Sequence, residues 1–459
     1  MSHPEPSEQP SRHQAILSLS LPIIAGMLSQ NVVNVVDTAM VGRVGTTALA
    51  SVGLGSFLNF FFAAFVMGIA VGVQTLCARW RGAGREDYAV PLNGGLTLAL
   101  AIGAPLYLIF SWSTDWFMAL ASDDPEVARG GAGYLQARLI GLVAIGVNFA
   151  FRSYWSAVER ASLYFITIIT MHVTNITLNW LLIFGNLGFP ELGVVGAGLG
   201  TGLSMWVGVI IHLGLALRFA RPYGFLARLP SRADWRTLLS MALPSGVERT
   251  LFALGMTIFM SLIGRISAEA LAASNVILNL FLVAILPAMG FGIASATFVS
   301  RSIGAGAPSE ALAWQRAVAH WALGALTLIA LPFGFASAWI AGSFTTDAGT
   351  AQMISETLWL MALILPMEAS HMVIYQSLLG LGDNRFVMGI TLTAQWLVSL
   401  PLVYLIAVTW GWGVWWAWAL HFMIRGGQCL SYHIRWRHRL TQLIERAEGQ
   451  NIDLRSSEV

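Results

Sequence analysis

Long apolar runs recur along the chain at 14–41, 47–76, 89–113, 130–155, 161–186, 192–217, 237–264, 269–300, 310–342, 350–380, 386–410 and 412–434, separated by short polar stretches. About 20 apolar residues suffice to cross a hydrocarbon core of about 30 Å. Inside hydrocarbon, backbone N–H and C=O groups must bond within their own segment, so every run predicts a helix. Runs longer than about 25 residues predict tilted helices or ends that extend past the bilayer. The fold class that follows is an all-α membrane protein of twelve transmembrane helices. Composition agrees: of 459 residues 56% are hydrophobic and 10% charged, where a soluble domain carries about a quarter charged residues. The polar start, Met1 to Arg12, runs straight into the first apolar run. It reads as a disordered tail, and no cleavable signal peptide is expected.

Charge adds an orientation. All 25 basic residues are arginine, against 23 acidic residues. With the N-terminus inside, the inner loops receive Arg79, Arg81, Arg85, Arg152, Arg160, Arg218, Arg221, Arg228, Arg232, Arg236, Arg301, Arg316, Arg385, Arg435, Arg437 and Arg439. The outer loops hold Arg43, Arg129 and Arg265 beside the acidic Asp123, Asp124 and Glu126. That bias places both termini in the cytoplasm. The arginines are scattered singly and form no stripe, so nucleic acid is not an expected partner. Cys77 and Cys429 lie far apart in apolar surroundings and read as packing residues, not a disulfide or a zinc site.

A basic connection, 219–236, divides the chain near its middle. Shifting the sequence by 222 positions aligns Leu21-Pro22 with Leu243-Pro244, Gly42-Arg43 with Gly264-Arg265, and Ala48-Leu49-Ala50 with Ala270-Leu271-Ala272. The same shift aligns Met67-Gly68 with Met289-Gly290, Arg79 with Arg301, and Gly82-Ala83-Gly84 with Gly304-Ala305-Gly306. These matches fall at loops and bends, not at generic Leu or Val. Each half has an even number of spans, so the halves share one orientation and are related by an axis along the membrane normal, with a central cavity between them. The expected organisation is a disordered tail over 1–13, an N-lobe over 14–218, a linker over 219–236, a C-lobe over 237–436 and a cytoplasmic tail over 437–459.

Carboxylates within spans are costly and call for a reason. Three sit well inside: Asp37 in span 1, Glu248 in span 7 and Glu368 in span 10. Each has a bland reading, a paired carboxylate that fixes helix packing, and for Glu248 the adjacent Arg249 favours it. The functional reading is that burial raises a carboxyl pKa from about 4 toward neutrality and makes the group a reversible proton carrier. Two converging carboxylates instead suit a hard cation such as Na⁺ held by oxygen ligands. Asn34 shares a face with Asp37, Asn175 and Asn179 share a face of span 5, and Thr201 and Ser204 add hydroxyls on span 6. Those asparagines and hydroxyls also suit plain helix bridging. On span 10, His371 and Tyr375 follow Glu368 at i+3 and i+7, just past Pro366; for His371 packing is the simpler reading. No P-loop, metalloprotease helix or nucleophile elbow occurs, so an enzyme is not expected, nor a bound cofactor beyond the coupling ion.

At these residues the chain resembles the multidrug and toxic compound extrusion (MATE) family over nearly its whole length. The resemblance rests on Leu21-Pro22 followed by Val36-Asp37-Thr38 and Gly42; on Gln74 with Gly82-Ala83-Gly84; and on Asn175 and Asn179. It continues through Pro190-Glu191-Leu192-Gly193 with Gly196-Ala197-Gly198, and Leu378-Leu379-Gly380-Leu381-Gly382-Asp383. It is similar to the norfloxacin-exporter branch: Glu248 precedes Phe252 by four residues and Glu368 precedes Asp383 by fifteen. The DNA-damage-inducible branch typically has aspartate where this chain has Asn179. The span-10 acid is usually aspartate in the first branch and is glutamate here, which leaves the coupling ion, Na⁺ or H⁺, open. The resemblance implies two six-helix lobes that rock about a central cavity and export amphipathic organic cations. Asp37, Asn34, Asn175, Asn179 and Thr201 would couple proton and drug in the N-lobe. Glu248, Glu368 and His371 would form a cation site in the C-lobe, the two carboxylates ligating Na⁺. A monomer is expected. The alternative is a lipid-intermediate or polysaccharide-precursor flippase of the same broader superfamily, which would gather arginines in its cavity; only Arg138, Arg249 and Arg425 lie within spans.

Overall fold

The computed structural model describes residues 11–457, and these are helical with short connections. The helical spans in chain order are α1 (Arg12–Gly42), α2 (Thr46–Gly82), α3 (Val90–Trp112), α4 (Pro125–Leu139 and Leu142–Ala157), α5 (Ala161–Phe184) and α6 (Gly193–Phe219). They continue as α7 (Arg232–Gly264), α8 (Ala268–Gly304), α9 (Pro308–Phe335), α10 (Ala348–Gly380), α11 (Asn384–Thr409) and α12 (Val414–Ser457). All but α4 and α12 are long and apolar enough to cross a membrane as they stand. The two parts of α4 meet that test together, across a bend of 46°. The first half of α12 carries the apolar run 412–434.

Each apolar run thus has its helix, with differences in continuity. α2 breaks at Gly68, and α8 breaks at Ile285, two residues before Pro287, which lacks an N–H and restricts the residue before it. The run 310–342 ends as a helix at Phe335, and a separate short helix, Ser337–Phe344, follows. α11 contains π-helical stretches at Thr393–Ser399 and Val403–Thr409. Over most of the expected tail 437–459, α12 continues as a helix, to Ser457. The expected disordered tail 1–13 falls mostly outside the described residues, and α1 begins at Arg12 on a capping box made by Ser11 and Gln14.

The 222-residue repeat is visible in three dimensions. The short helix Thr114–Ala121 follows α3 as Ser337–Phe344 follows α9. A capping box, Ser231 with Asp234, opens α7 as one opens α1. Ile16, Leu19, Ile23 and Ile24 from the first half of α1 are buried in the core of the C-lobe. Leu238, which the shift equates with Ile16, is buried from α7 in the core of the N-lobe. At the ends of α2 and α8 the backbones touch. A Cβ on Gly82 would lie 2.0 Å from the Arg301 carbonyl oxygen, and one on Gly304 would lie 2.0 Å from that of Arg79. Only glycine permits so close a crossing.

Polar contacts across the lobes fall at the same end. Arg79 donates to the Gly380 carbonyl at 3.1 Å, while its counterpart Arg301 pairs with Glu159, which also takes Arg81 at 3.0 Å. Gln74 donates to the Ile293 carbonyl at 2.8 Å and to Thr297 at 3.0 Å. Among the described residues every side-chain hydrogen bond between the lobes lies in this arginine-rich half. The lobes are therefore held together at one end, and the other halves of α1 and α7 are free of such ties.

Candidate functional site: intramembrane carboxylates of the two lobes

In the N-lobe, α1 places Asp37 opposite the asparagine face of α5. Asn179 donates to Asp37 Oδ1 at 2.8 Å. With the Asn175 amide nitrogen turned toward the carboxylate, Asn175 donates to Oδ1 at 2.9 Å, and its oxygen accepts from Thr201 at 3.1 Å. The opposite orientation would set amide oxygen against carboxylate oxygen, which is repulsive. Room for Asn179 comes from α6: a Cβ at Gly200 would lie 2.2 Å from Asn179 Oδ1. Asn175 and Asn179 are buried, and Ser204 beside them bonds the Thr201 carbonyl at 2.8 Å. The structure thus joins Asp37, Asn175, Asn179 and Thr201. Asn34 does not join them: it is exposed and accepts from Gln30 at 3.1 Å. Helical side chains lean toward the N-terminus, which brings Asn34 to its i−4 neighbour and not to Asp37.

In the C-lobe, Glu248 on α7 is buried and held by neutral hydroxyls. Tyr375 Oη, from α10, donates to its two oxygens at 2.9 and 3.1 Å. Thr391 Oγ1, from α11, lies 3.2 Å from Oε1 and 2.8 Å from Tyr432 Oη of α12. The adjacent Arg249 forms no ion pair with it, because successive helical side chains diverge by about 100°.

Glu368 is placed otherwise. Arg425, from α12, donates Nε to Oε1 and Nη2 to Oε2, the latter at 2.6 Å, and both residues are buried. This bidentate geometry satisfies a carboxylate and a guanidinium together. Arg425 Nη2 also reaches His371 Nδ1 at 3.1 Å. Nδ1 also lies 3.4 Å from Glu368 Oε2, which ties His371 into the pair, and its buried Nε2 has no partner. Glu248 and Glu368, expected to converge on one cation, have separate partners. No hydrogen bond joins them and they have no partner in common, since Arg425 already supplies the counter-charge of Glu368. His371 belongs to the Glu368 pair and not to Glu248. No cluster of three or more His, Cys, Asp or Glu suited to a metal occurs among the described residues.

The remaining candidates pack. His172 bonds Ser29 at 3.1 Å, His212 accepts from the Trp155 indole at 3.1 Å, and Cys77 and Cys429 are free and buried. Of the intramembrane arginines, Arg138 donates to Tyr134 at 2.8 Å and Arg425 is taken up by Glu368. Sequence reasoning missed Arg425 as the partner of Glu368, along with Thr391 and Tyr432. An arginine inside an apolar span was a signal for the first; an ordinary threonine and tyrosine carried none.

The sequence model of the MatE family matches residues 22–181 and again residues 244–405, nearly the same interval one repeat later. A probable multidrug resistance protein NorM from Synechococcus sp. is 30% identical over 92% of this chain and 94% of its own length. The multidrug resistance protein PmpM of Pseudomonas aeruginosa is 26% identical over 86% and 84%. Among solved structures, an outward-facing multidrug resistance MATE family transporter of the MOP superfamily superimposes with a TM-score of 0.86 at 21% identity, covering 94% of this chain and 96% of that one. A MOP superfamily transporter from Pyrococcus furiosus superimposes with a TM-score of 0.85 at 20% identity, over 94% and 96%. With both halves of the chain matched and the two-lobed fold shared, this chain belongs to the MatE family of multidrug and toxic compound extrusion transporters.

Proposed function

We infer that this multidrug efflux antiporter exports amphipathic organic cations in exchange for Na⁺ or H⁺, with Asp37 and Glu248 as the coupling carboxylates. The observation that carries the assignment is the contrast among three intramembrane acids. Asp37 and Glu248 are held by neutral amides and hydroxyls, whereas the charge of Glu368 is compensated by Arg425. A carboxylate in low dielectric that makes no ion pair gains more from taking up a proton, a metal cation or an organic cation than one already paired with a guanidinium. Whichever binds first removes the charge the others need, so ion and drug exclude one another. Linkage makes that exclusion reciprocal. Glu368 with Arg425 fixes α10 to α12 and holds the aromatic wall around Glu248: Tyr375, His371 and Tyr432, with ring centroids 5.5–6.3 Å apart.

The arginine-rich end, where the lobes meet, faces the cytoplasm of a bacterial inner membrane in this reading. The state described is then the one open outward, and re-entry to the inward state requires the glycine crossing of α2 and α8 to part.

The test is dye counterflow in proteoliposomes holding the full chain, with Na⁺ and pH gradients imposed separately. The wild type should drive export of an ethidium-like cation with one gradient. Asp37→Asn and Glu248→Gln should each lose that drive while inserting normally. Wild-type rates in both variants would refute the assignment.

A further inference from the structure

On the outer face of the C-lobe, between α9 and α12, lies a crevice of about 500 Å³ that the transport reading does not use. Its apolar wall includes Leu312, Leu323 and Leu440, and two arginines, Arg316 and Arg437, stand over it. Neither arginine has an ion-pair partner among the described residues, and no Asp or Glu lines the crevice. The neighbours of Arg437 differ: Arg435 and Arg439 both turn to Asp383, at 2.6 and 3.6 Å. Two buried side chains of the lining also lack partners. The indole N–H of Trp436 meets no acceptor, and the Gln315 side chain is 7% exposed with no hydrogen-bond partner among the described residues.

Depth identifies what such a crevice meets. About 35 Å of helix separates Val414 from Arg437 at 1.5 Å per residue, slightly more than the roughly 30 Å hydrocarbon core. Arg437 therefore stands at headgroup level on the arginine-rich side. Toward the bilayer the neighbouring Leu323 and Ile434 are exposed, 43% and 62%, as lipid-facing residues are. A ligand here must present an anion to two arginines and a long apolar body to leucines.

We propose that this crevice binds an anionic phospholipid, with its phosphate between Arg316 and Arg437 and an acyl chain running toward the bilayer past Ala319 and Leu323. Basic pockets between helices on the cytoplasmic side suit such headgroups. The Trp436 indole offers a donor to an ester or phosphate oxygen. His320 Nδ1 is bonded to the Arg316 carbonyl at 2.8 Å, which leaves Nε2 to accept from a headgroup hydroxyl, as phosphatidylglycerol would supply.

The experiment is native mass spectrometry of the full chain in neutral detergent, with phosphatidylglycerol and phosphatidylcholine added in equal amounts. Each arginine near a lipid surface contributes about fivefold, so the wild type should retain phosphatidylglycerol about twenty-five-fold better. Arg316→Gln with Arg437→Gln should bring the two lipids to near equality. Arg316→Lys with Arg437→Lys should keep most of the preference, which guards against a folding defect. Arg232→Gln with Arg236→Gln, at the same end but outside the crevice, should leave it unchanged. Equal retention of both lipids by the wild type would overturn the proposal, as would an equal loss in the outside pair. Displacement of the lipid by excess inorganic phosphate would also overturn it, because the occupant would then be a free anion.

Discussion

Removing the charge of Glu368 should damage the protein differently from removing that of Glu248. In Glu368→Gln the guanidinium of Arg425 stays buried and loses the carboxylate that accepted two of its hydrogen bonds. Breaking a buried pair by deleting one partner costs about 3–5 kcal/mol. For a lobe of roughly 200 residues, each kcal/mol shifts the melting temperature by about 2–4 °C, so a fall of about 6–20 °C is expected. Glu368→Gln combined with Arg425→Met removes both charges and should recover most of that loss, since apolar replacement of a buried pair is often neutral. In Glu248→Gln the partners are the hydroxyls of Tyr375 and Thr391, and the loss should be about 1 kcal/mol, or about 2–4 °C. Melting followed by size-exclusion chromatography in detergent gives stability, and proteoliposome counterflow gives coupling. Glu248→Gln should melt near the wild type without ion-driven export; the Glu368/Arg425 double variant should melt near the wild type and still export. Equal melting of the two single variants would refute the structural role of Glu368. A stable double variant that no longer responds to the ion gradient would return Glu368 to the ion site.

Three further outcomes are expected. Gly82→Ala puts a methyl group 2.0 Å from the Arg301 carbonyl oxygen, so α2 and α8 must part by about 1 Å at a cost of about 1–3 kcal/mol; spin labels at the exposed Glu86 and Ser309 should report a longer distance, and an unchanged distribution would count against the crossing as the closed contact. Gly200→Ala would meet Asn179 Oδ1 at 2.2 Å, so it should impair ion-driven export as Asp37→Asn does while sparing the stability of the C-lobe; normal export would show that the Asn179–Asp37 contact is dispensable. Asp87, outside the spans, bonds Arg85 and Arg228 of the linker, and the Arg85 hydrogen bond is the main cause that lowers its carboxyl pKa to about 2 from the usual 3.8. A depressed pKa means stabilisation that is present above about 4 and lost as pH falls toward 2, so the melting advantage of wild type over Asp87→Asn should hold at pH 5–7 and vanish across that window; an advantage that persists at pH 2 would rule out the charge as its source.

What this chain's sequence determines by itself is what depends on neighbours along one helix or on periods within the chain. Hydropathy summed over some twenty residues marks the spans, because the bilayer demands satisfied backbone groups locally. The 222-residue shift marks the lobes, and the glycines and arginines it aligns at Gly82, Gly304, Arg79 and Arg301 are those that meet at the crossing. Asn175 and Asn179 share a face of α5, so a polar wall for Asp37 was legible from their spacing. Tertiary structure decided which groups meet across helices, because that depends on the rotation and relative shift of each helix, which no local pattern records. Arg425 lies 57 residues from Glu368, and only the packing of α12 against α10 brings them together; that pairing separates Glu368 from Glu248. Asn34, one turn before Asp37 on the same helix, leans back to Gln30 because side chains on a helix tilt toward its start.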